Sequence, residues 1–121
     1  MSESKKILII EDDPDITEIY EAWFDSKGLE VVKSSTGLDG AINLLREKFA
    51  LVIVDVNLPY KSGLEVVQFL RRSEYDNEET PAIIISGFLK DIGELKKLNE
   101  VYFLEKPAQE EEIFKILDKK S

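Results

Sequence analysis

Short apolar runs alternate with amphipathic stretches along this chain. Residues 6–10 read Lys-Ile-Leu-Ile-Ile, and 51–54 read Leu-Val-Ile-Val. Both are rich in β-branched residues and too short for a buried helix, so each predicts a strand covered on both faces. Residues 81–85 and 101–104 repeat the signal, and Val31-Val32 marks a shorter one. Between them, Ile16, Ile19, Tyr20, Trp23 and Phe24 fall on one helical face. Asp13 caps that helix, Pro14 suits its first position and Gly28 stops it. Thr36 caps a second helix with Leu38, Ala41, Ile42 and Leu45 inward. A third is predicted over residues 62–73, a short fourth between 90 and 99, and a last over 110–119, with Ile113, Phe114, Ile116 and Leu117 as its core face. Residues 74–80 read as a solvated loop.

Five strands alternating with five helices predict an α/β fold, a three-layer (βα)5 doubly wound sandwich around a five-stranded parallel sheet. Such sheets place their active crevice at the carboxyl ends of the strands. The residues there are Glu11, Asp12 and Asp13 after the first strand, Asp55 after the third, Ser86 after the fourth and Lys106-Pro107 after the fifth.

Composition narrows the chemistry. The 121 residues contain no cysteine and no histidine. That removes disulfides, thiol nucleophiles, the commonest transition-metal ligand and the usual general base. The length suits a single domain over residues 1–121, with its core over about 6–119. No run approaches the roughly 18 apolar residues of a membrane span, and the start lacks a signal-peptide pattern. A cytoplasmic protein is expected. With 16 basic against 25 acidic residues, the net charge is -9, which argues against gripping nucleic acid directly.

Carboxylates, a hydroxyl and an amine converging on one crevice suit phosphoryl transfer. Clustered acids repel one another until a hard divalent cation relieves them, and magnesium prefers such oxygen ligands. A carboxylate such as Asp55 can attack phosphorus to give an acyl phosphate, while Lys106 and Ser86 bind the other phosphoryl oxygens. Taken singly, each feature has an ordinary explanation: an acidic run favours a helix start, and an aspartate forms turns. Their joint order along one sheet carries the signal. A phosphatase of the haloacid dehalogenase class would want a second aspartate where Asn57 stands. A flavin binder would want a glycine- and hydroxyl-rich loop where the acids stand, and a phosphorylation-incompetent module would not need the full set.

At these residues the chain resembles the receiver domains of bacterial response regulators. Residues 7–16 resemble the family's opening strand and acidic pair. Residues 51–59, with Gly63, resemble its phospho-acceptor strand and loop. Residues 83–87 resemble its hydroxyl strand, and 103–107 its switch aromatic and lysine segment. The resemblance implies a flavodoxin-like strand order 2-1-3-4-5, with Asp55 as phospho-acceptor and Ser86 and Lys106 binding the phosphoryl group. It implies a magnesium site, which manganese can also fill, made of Asp12 directly, Glu11 through water, Asp55 and the backbone carbonyl of Asn57. It further implies a cis Lys106–Pro107 bond and a paired movement of Ser86 and Phe103. That movement would re-form the surface of the fourth helix, fifth strand and last helix. Tyr102 should point away from Phe103. The donor would be a histidine kinase or histidine phosphotransfer protein, the protein a switch rather than a turnover enzyme, and a phosphorylation-dependent dimer a further state. Two departures stand out. Leu98-Asn-Glu-Val101 replaces the family's Gly-Ala pair, and the interval from Ser86 to Lys106 is about two residues short, which predicts a truncated or displaced fourth helix. Phe88 is placed to shield the site from water.

Overall fold

The computed structural model describes residues 5–56, 80–86 and 100–119. Five parallel strands, β1 (Lys6–Ile10), β2 (Glu30–Ser34), β3 (Leu51–Val56), β4 (Ala82–Ser86) and β5 (Val101–Glu105), form one sheet in the order β2-β1-β3-β4-β5. The described helices are α1 (Pro14–Asp25), α2 (Gly37–Arg46) and α3 (Glu110–Lys119). The helices predicted over 62–73 and 90–99 lie outside the described residues, as do Asn57, Gly63, Phe88 and the loop preceding Thr80. Every expected strand is present, and β3 and β4 each run past their apolar stretch to include Asp55 and Ser86.

Strand alternation divides the core into two layers. Leu8, Ile10, Val52, Val54, Ala82 and Ile84 face one side, where Leu44 of α2 joins them. Ile7, Ile9, Leu51, Ile53, Ile83 and Ile85 face the other, against Tyr20 and Phe24 of α1 and Ile113 and Leu117 of α3. The central strands are apolar throughout because both faces are covered. On β5, Phe103 packs into the first layer and Tyr102 into the second, as alternation requires.

The helix ends follow local chemistry. Asp13 accepts a hydrogen bond from the Asp15 backbone at 2.9 Å, and Thr36 accepts one from Asp39 at 3.0 Å. Gly28 takes a left-handed φ of 75° just past α1, which glycine tolerates. Glu100, in the stretch that departs from the Gly-Ala pattern, also has a positive φ of 60°. Its side chain accepts a hydrogen bond from the Tyr102 hydroxyl at 3.0 Å.

Two helix faces differ from expectation. On α1, Thr17 is buried and Ile19 is 51% exposed. Thr17 tolerates burial because its hydroxyl donates to the Asp13 carbonyl at 3.0 Å. On α2, Gly40 and Leu44 face the sheet, while Leu38, Ile42 and Leu45 are exposed, Leu38 by 74%. The reason is close approach: a Cβ on Gly40 would lie 2.4 Å from Ile10 Cδ1 and 2.8 Å from its Cγ1. The helix therefore seats itself by its smallest residue and turns its larger apolar side chains outward. Gly40→Val is expected to destabilise the fold by about 1–3 kcal/mol through overpacking, measured as a lower urea midpoint with unchanged slope. An unchanged midpoint would mean that α2 does not depend on this approach.

Candidate functional site

The carboxyl ends of β1, β3, β4 and β5 bring the predicted chemistry together. Asp55 lies on the same pleat face as Leu51 and Ile53, so it points toward the α1 side of the sheet. Its side chain is fully buried. The Lys106 ammonium stands 2.6 Å from its Oδ1. Lys106 immediately follows β5; its backbone N–H donates to the Ser86 carbonyl at 2.9 Å, and the bond to Pro107 is cis. The lysine is thus tied by its backbone to β4 and by its charge to β3.

The other oxygen of Asp55 has a partner that the sequence pattern did not single out. The Tyr20 hydroxyl donates to Oδ2 at 2.8 Å. Periodicity placed Tyr20 on the core face of α1, which is correct, but counted it as an apolar position. The available signal was its hydroxyl, which needs a partner when buried. Burial, then the negative charge of Asp55, pushes the phenol well above its ordinary pKa. Tyr20 therefore stays protonated and donates.

Glu11 is buried at the end of β1, its backbone N–H donating to the Ser34 carbonyl at 2.9 Å. Its Oε1 accepts the Asp13 backbone N–H at 2.8 Å. Burial raises its pKa to about 8, helped by side-chain hydrogen bonds to Asp55 and Asp12 and opposed by the Asp13 N–H. Asp12 is exposed and Asp13 serves as the helix cap. The donors Glu11, Asp12 and Asp55 are all carboxylates, and Glu11, whose pKa is pushed up to about 8 by burial and by its hydrogen bonds to the other two, shares its site with both. Both observations fit a hard divalent cation. Among the described residues no three such side chains stand in a metal-holding arrangement; the Asp55 oxygens face Lys106 and Tyr20.

Ser86 is buried at the end of β4. It shares a strand face with Ala82 and Ile84, and Ile84 is the register partner of Phe103. Phe103 is half-buried in that layer. The hydroxyl and the aromatic therefore lie on the same side of the sheet. Asn57 lies outside the described residues. Among those residues no helix is long and apolar enough to cross a membrane.

Comparison with known proteins agrees with this arrangement. The family model described as "Response regulator receiver domain" matches residues 7–118. The transcriptional activator protein PfeR of Pseudomonas aeruginosa is 35% identical over 84 residues, 69% of this chain and 26% of that protein. The Regulator of RpoS of Escherichia coli is 29% identical over 108 residues, 88% of this chain and 31% of that protein. The chain thus spans about a quarter to a third of these curated relatives. A CheY-like response regulator receiver domain from Methylobacillus flagellatus superposes with a TM-score of 0.84 at 27% identity, covering 98% of this chain and all of that one. The receiver domain of a Pseudomonas aeruginosa sensor histidine kinase, solved with magnesium coordinated in its active-site cleft, superposes at 0.82 with 24% identity over 98% of each chain. Magnesium-dependent phosphoryl transfer is standard for this family. With its parallel sheet in the order β2-β1-β3-β4-β5 and its match across residues 7–118, the chain belongs to the receiver domains of two-component response regulators.

Proposed function

We propose that Asp55 is the phospho-acceptor of this receiver. One observation carries the reading: a fully buried carboxylate at the carboxyl end of the sheet, with the Lys106 ammonium 2.6 Å from one oxygen. An oxygen of Asp55 attacks phosphorus, and the phosphorus–nitrogen bond of a donor phosphohistidine breaks, its electron pair leaving with the imidazole. Lys106 neutralises charge on the arriving group, and Ser86 binds a phosphoryl oxygen. Asp12 directly, Glu11 through water, Asp55 and the Asn57 carbonyl would hold magnesium, or manganese in its place. The cation supplies charge neutralisation between protein and phosphoryl oxygens. The magnesium in the sensor-kinase receiver domain supports this assignment.

Phosphorylation then draws Ser86 toward the phosphoryl group, and Phe103, half-buried on the same side, turns into the space. The surface around β5 and α3 carries the change to a protein target or a second copy. The donor is a histidine kinase or a histidine phosphotransfer protein. The domain, residues 1–121, acts as a cytoplasmic switch modified by its donor, without turnover of a separate substrate or direct contact with nucleic acid.

Incubation with acetyl phosphate and magnesium tests the reading by intact mass. One phosphoryl group is expected, absent when EDTA replaces magnesium and released by hydroxylamine, as an acyl phosphate requires. A gain insensitive to both would place the phosphate on a hydroxyl and overturn it. No gain from acetyl phosphate or from a phosphorylated phosphotransfer protein would do the same.

A further inference from the structure

We infer that the Tyr20 hydroxyl is a positioning group that shortens the life of the phosphorylated state by stabilising the departing Asp55 carboxylate. The inference rests on Asp55 being the acceptor. Its basis is geometric: Tyr20 is 5% exposed, is held in the α1 face of the core beside Phe24, and donates to Asp55 Oδ2 at 2.8 Å. The Trp23 ring lies 5.5 Å away, tilted at 46° to the phenol ring. Lys106 faces Oδ1, so the two oxygens are divided between an ammonium and a phenol. On the proposed reading, in which Lys106 neutralises the arriving charge, the oxygen on the lysine side is the one that bonds to phosphorus. Oδ2 then becomes the carbonyl of the acyl phosphate, where the phenol donates beside any cation that Asp55 holds.

The two states do not value that donor equally. In the free carboxylate a full negative charge is shared between Oδ1 and Oδ2, and a hydrogen bond to a charged acceptor is stronger than one to a neutral carbonyl. In hydrolysis, a water oxygen bonds to phosphorus and the phosphorus–Oδ1 bond breaks. Its electron pair returns to Asp55, and the water proton leaves to solvent with the released phosphate. The transition state for such transfer is loose, with charge on the departing oxygen largely developed. The Tyr20 bond therefore strengthens on the way to hydrolysis. In the uptake direction the attacking carboxylate still carries most of its charge at the transition state, so the bond is nearly the same before and at the barrier. Tyr20 should thus act on loss and leave uptake almost untouched, a split that a packing role would not produce.

The test labels the wild type, Tyr20→Phe and Tyr20→Leu with acetyl phosphate and magnesium. The donor is then removed, and loss of the phosphoryl group is followed by intact mass at fixed magnesium. Loss is expected to slow by about three- to tenfold in Tyr20→Phe, the size set by the difference between charged and neutral hydrogen-bond acceptors. The uptake rate should stay within about twofold, since a loose transition state leaves the nucleophile's charge largely in place. Tyr20→Leu, which lacks the hydroxyl and also changes the packing, should share the slow loss. Overturning results are a Tyr20→Phe lifetime equal to or shorter than that of the wild type, equal slowing of uptake and loss, or slow loss confined to Tyr20→Leu. Failure of the wild type itself to take up a phosphoryl group would instead remove the acceptor assignment on which the inference stands.

Discussion

Asp55→Asn is expected to abolish phosphoryl uptake from acetyl phosphate altogether. The amide matches the carboxylate in shape, and its oxygen can still accept the Tyr20 hydroxyl now 2.8 Å from Oδ2. It carries no anionic oxygen to attack phosphorus, and its nitrogen lone pair is delocalised into the carbonyl. The neighbouring acids are poor substitutes. Glu11 holds its proton to about 8, and Asp12 lies on the exposed rim of the site rather than buried within it as Asp55 is. The same substitution removes the hydrogen bond and the negative charge by which Asp55 helps to raise the Glu11 pKa. Glu11 should then ionise at lower pH. Intact mass after magnesium and acetyl phosphate reads the first effect. A residual gain of one phosphoryl group in Asp55→Asn would move the acceptor to another acid, Asp12 being the first to replace in turn.

Much of this arrangement was legible as pattern. Ile7–Ile10 and Ala82–Ile85 are buried from both sides, so their apolar runs had no competing explanation as loops or amphipathic helices. The strand ends then followed, and with them Glu11, Asp55, Ser86 and Lys106. What periodicity misjudged was which helix face turns inward. It weighs apolar area, and α2 is seated by Gly40, which has none to offer but allows approach to Ile10. Ile19 was misplaced for a related reason: Thr17 satisfies its own hydroxyl within the helix and takes the inward position that a larger apolar residue was expected to hold. Tyr20 was placed correctly and understood incompletely. Hydrophobic pattern records its ring, whereas the site uses its hydroxyl, and only the pairing of α1 with β3 shows that the two meet.

Raising the pH of the metal-free protein from 6 to 9 is expected to lower its stability by about 2–3 kcal/mol through Glu11, since a pKa shift of one unit is worth about 1.4 kcal/mol. The sign follows from the protons. Glu11 has a folded pKa raised to about 8 from an ordinary 4.5, so between those values the folded state binds the extra proton. The stability it brings is fully present below about 4.5 and is lost as the pH rises through about 8. Above that, the fold must hold an ionised glutamate beside Asp55 in a buried site. Glutamine at position 11 imitates the protonated acid: its carbonyl can still accept the Asp13 N–H, and its amide can donate to Asp55. Glu11→Gln should therefore flatten the decline between pH 6 and 9. Magnesium should do the same for the wild type, because a cation at the acids takes the place of the proton. It should stabilise the wild type more at pH 9 than at pH 6, where it competes with that proton. Urea unfolding at both pH values, with magnesium or EDTA, measures each arm. Parallel pH curves for wild type and Glu11→Gln in EDTA would show that Glu11 is not the group that titrates. A magnesium effect equal at both pH values would show that the cation and the proton do not share a site.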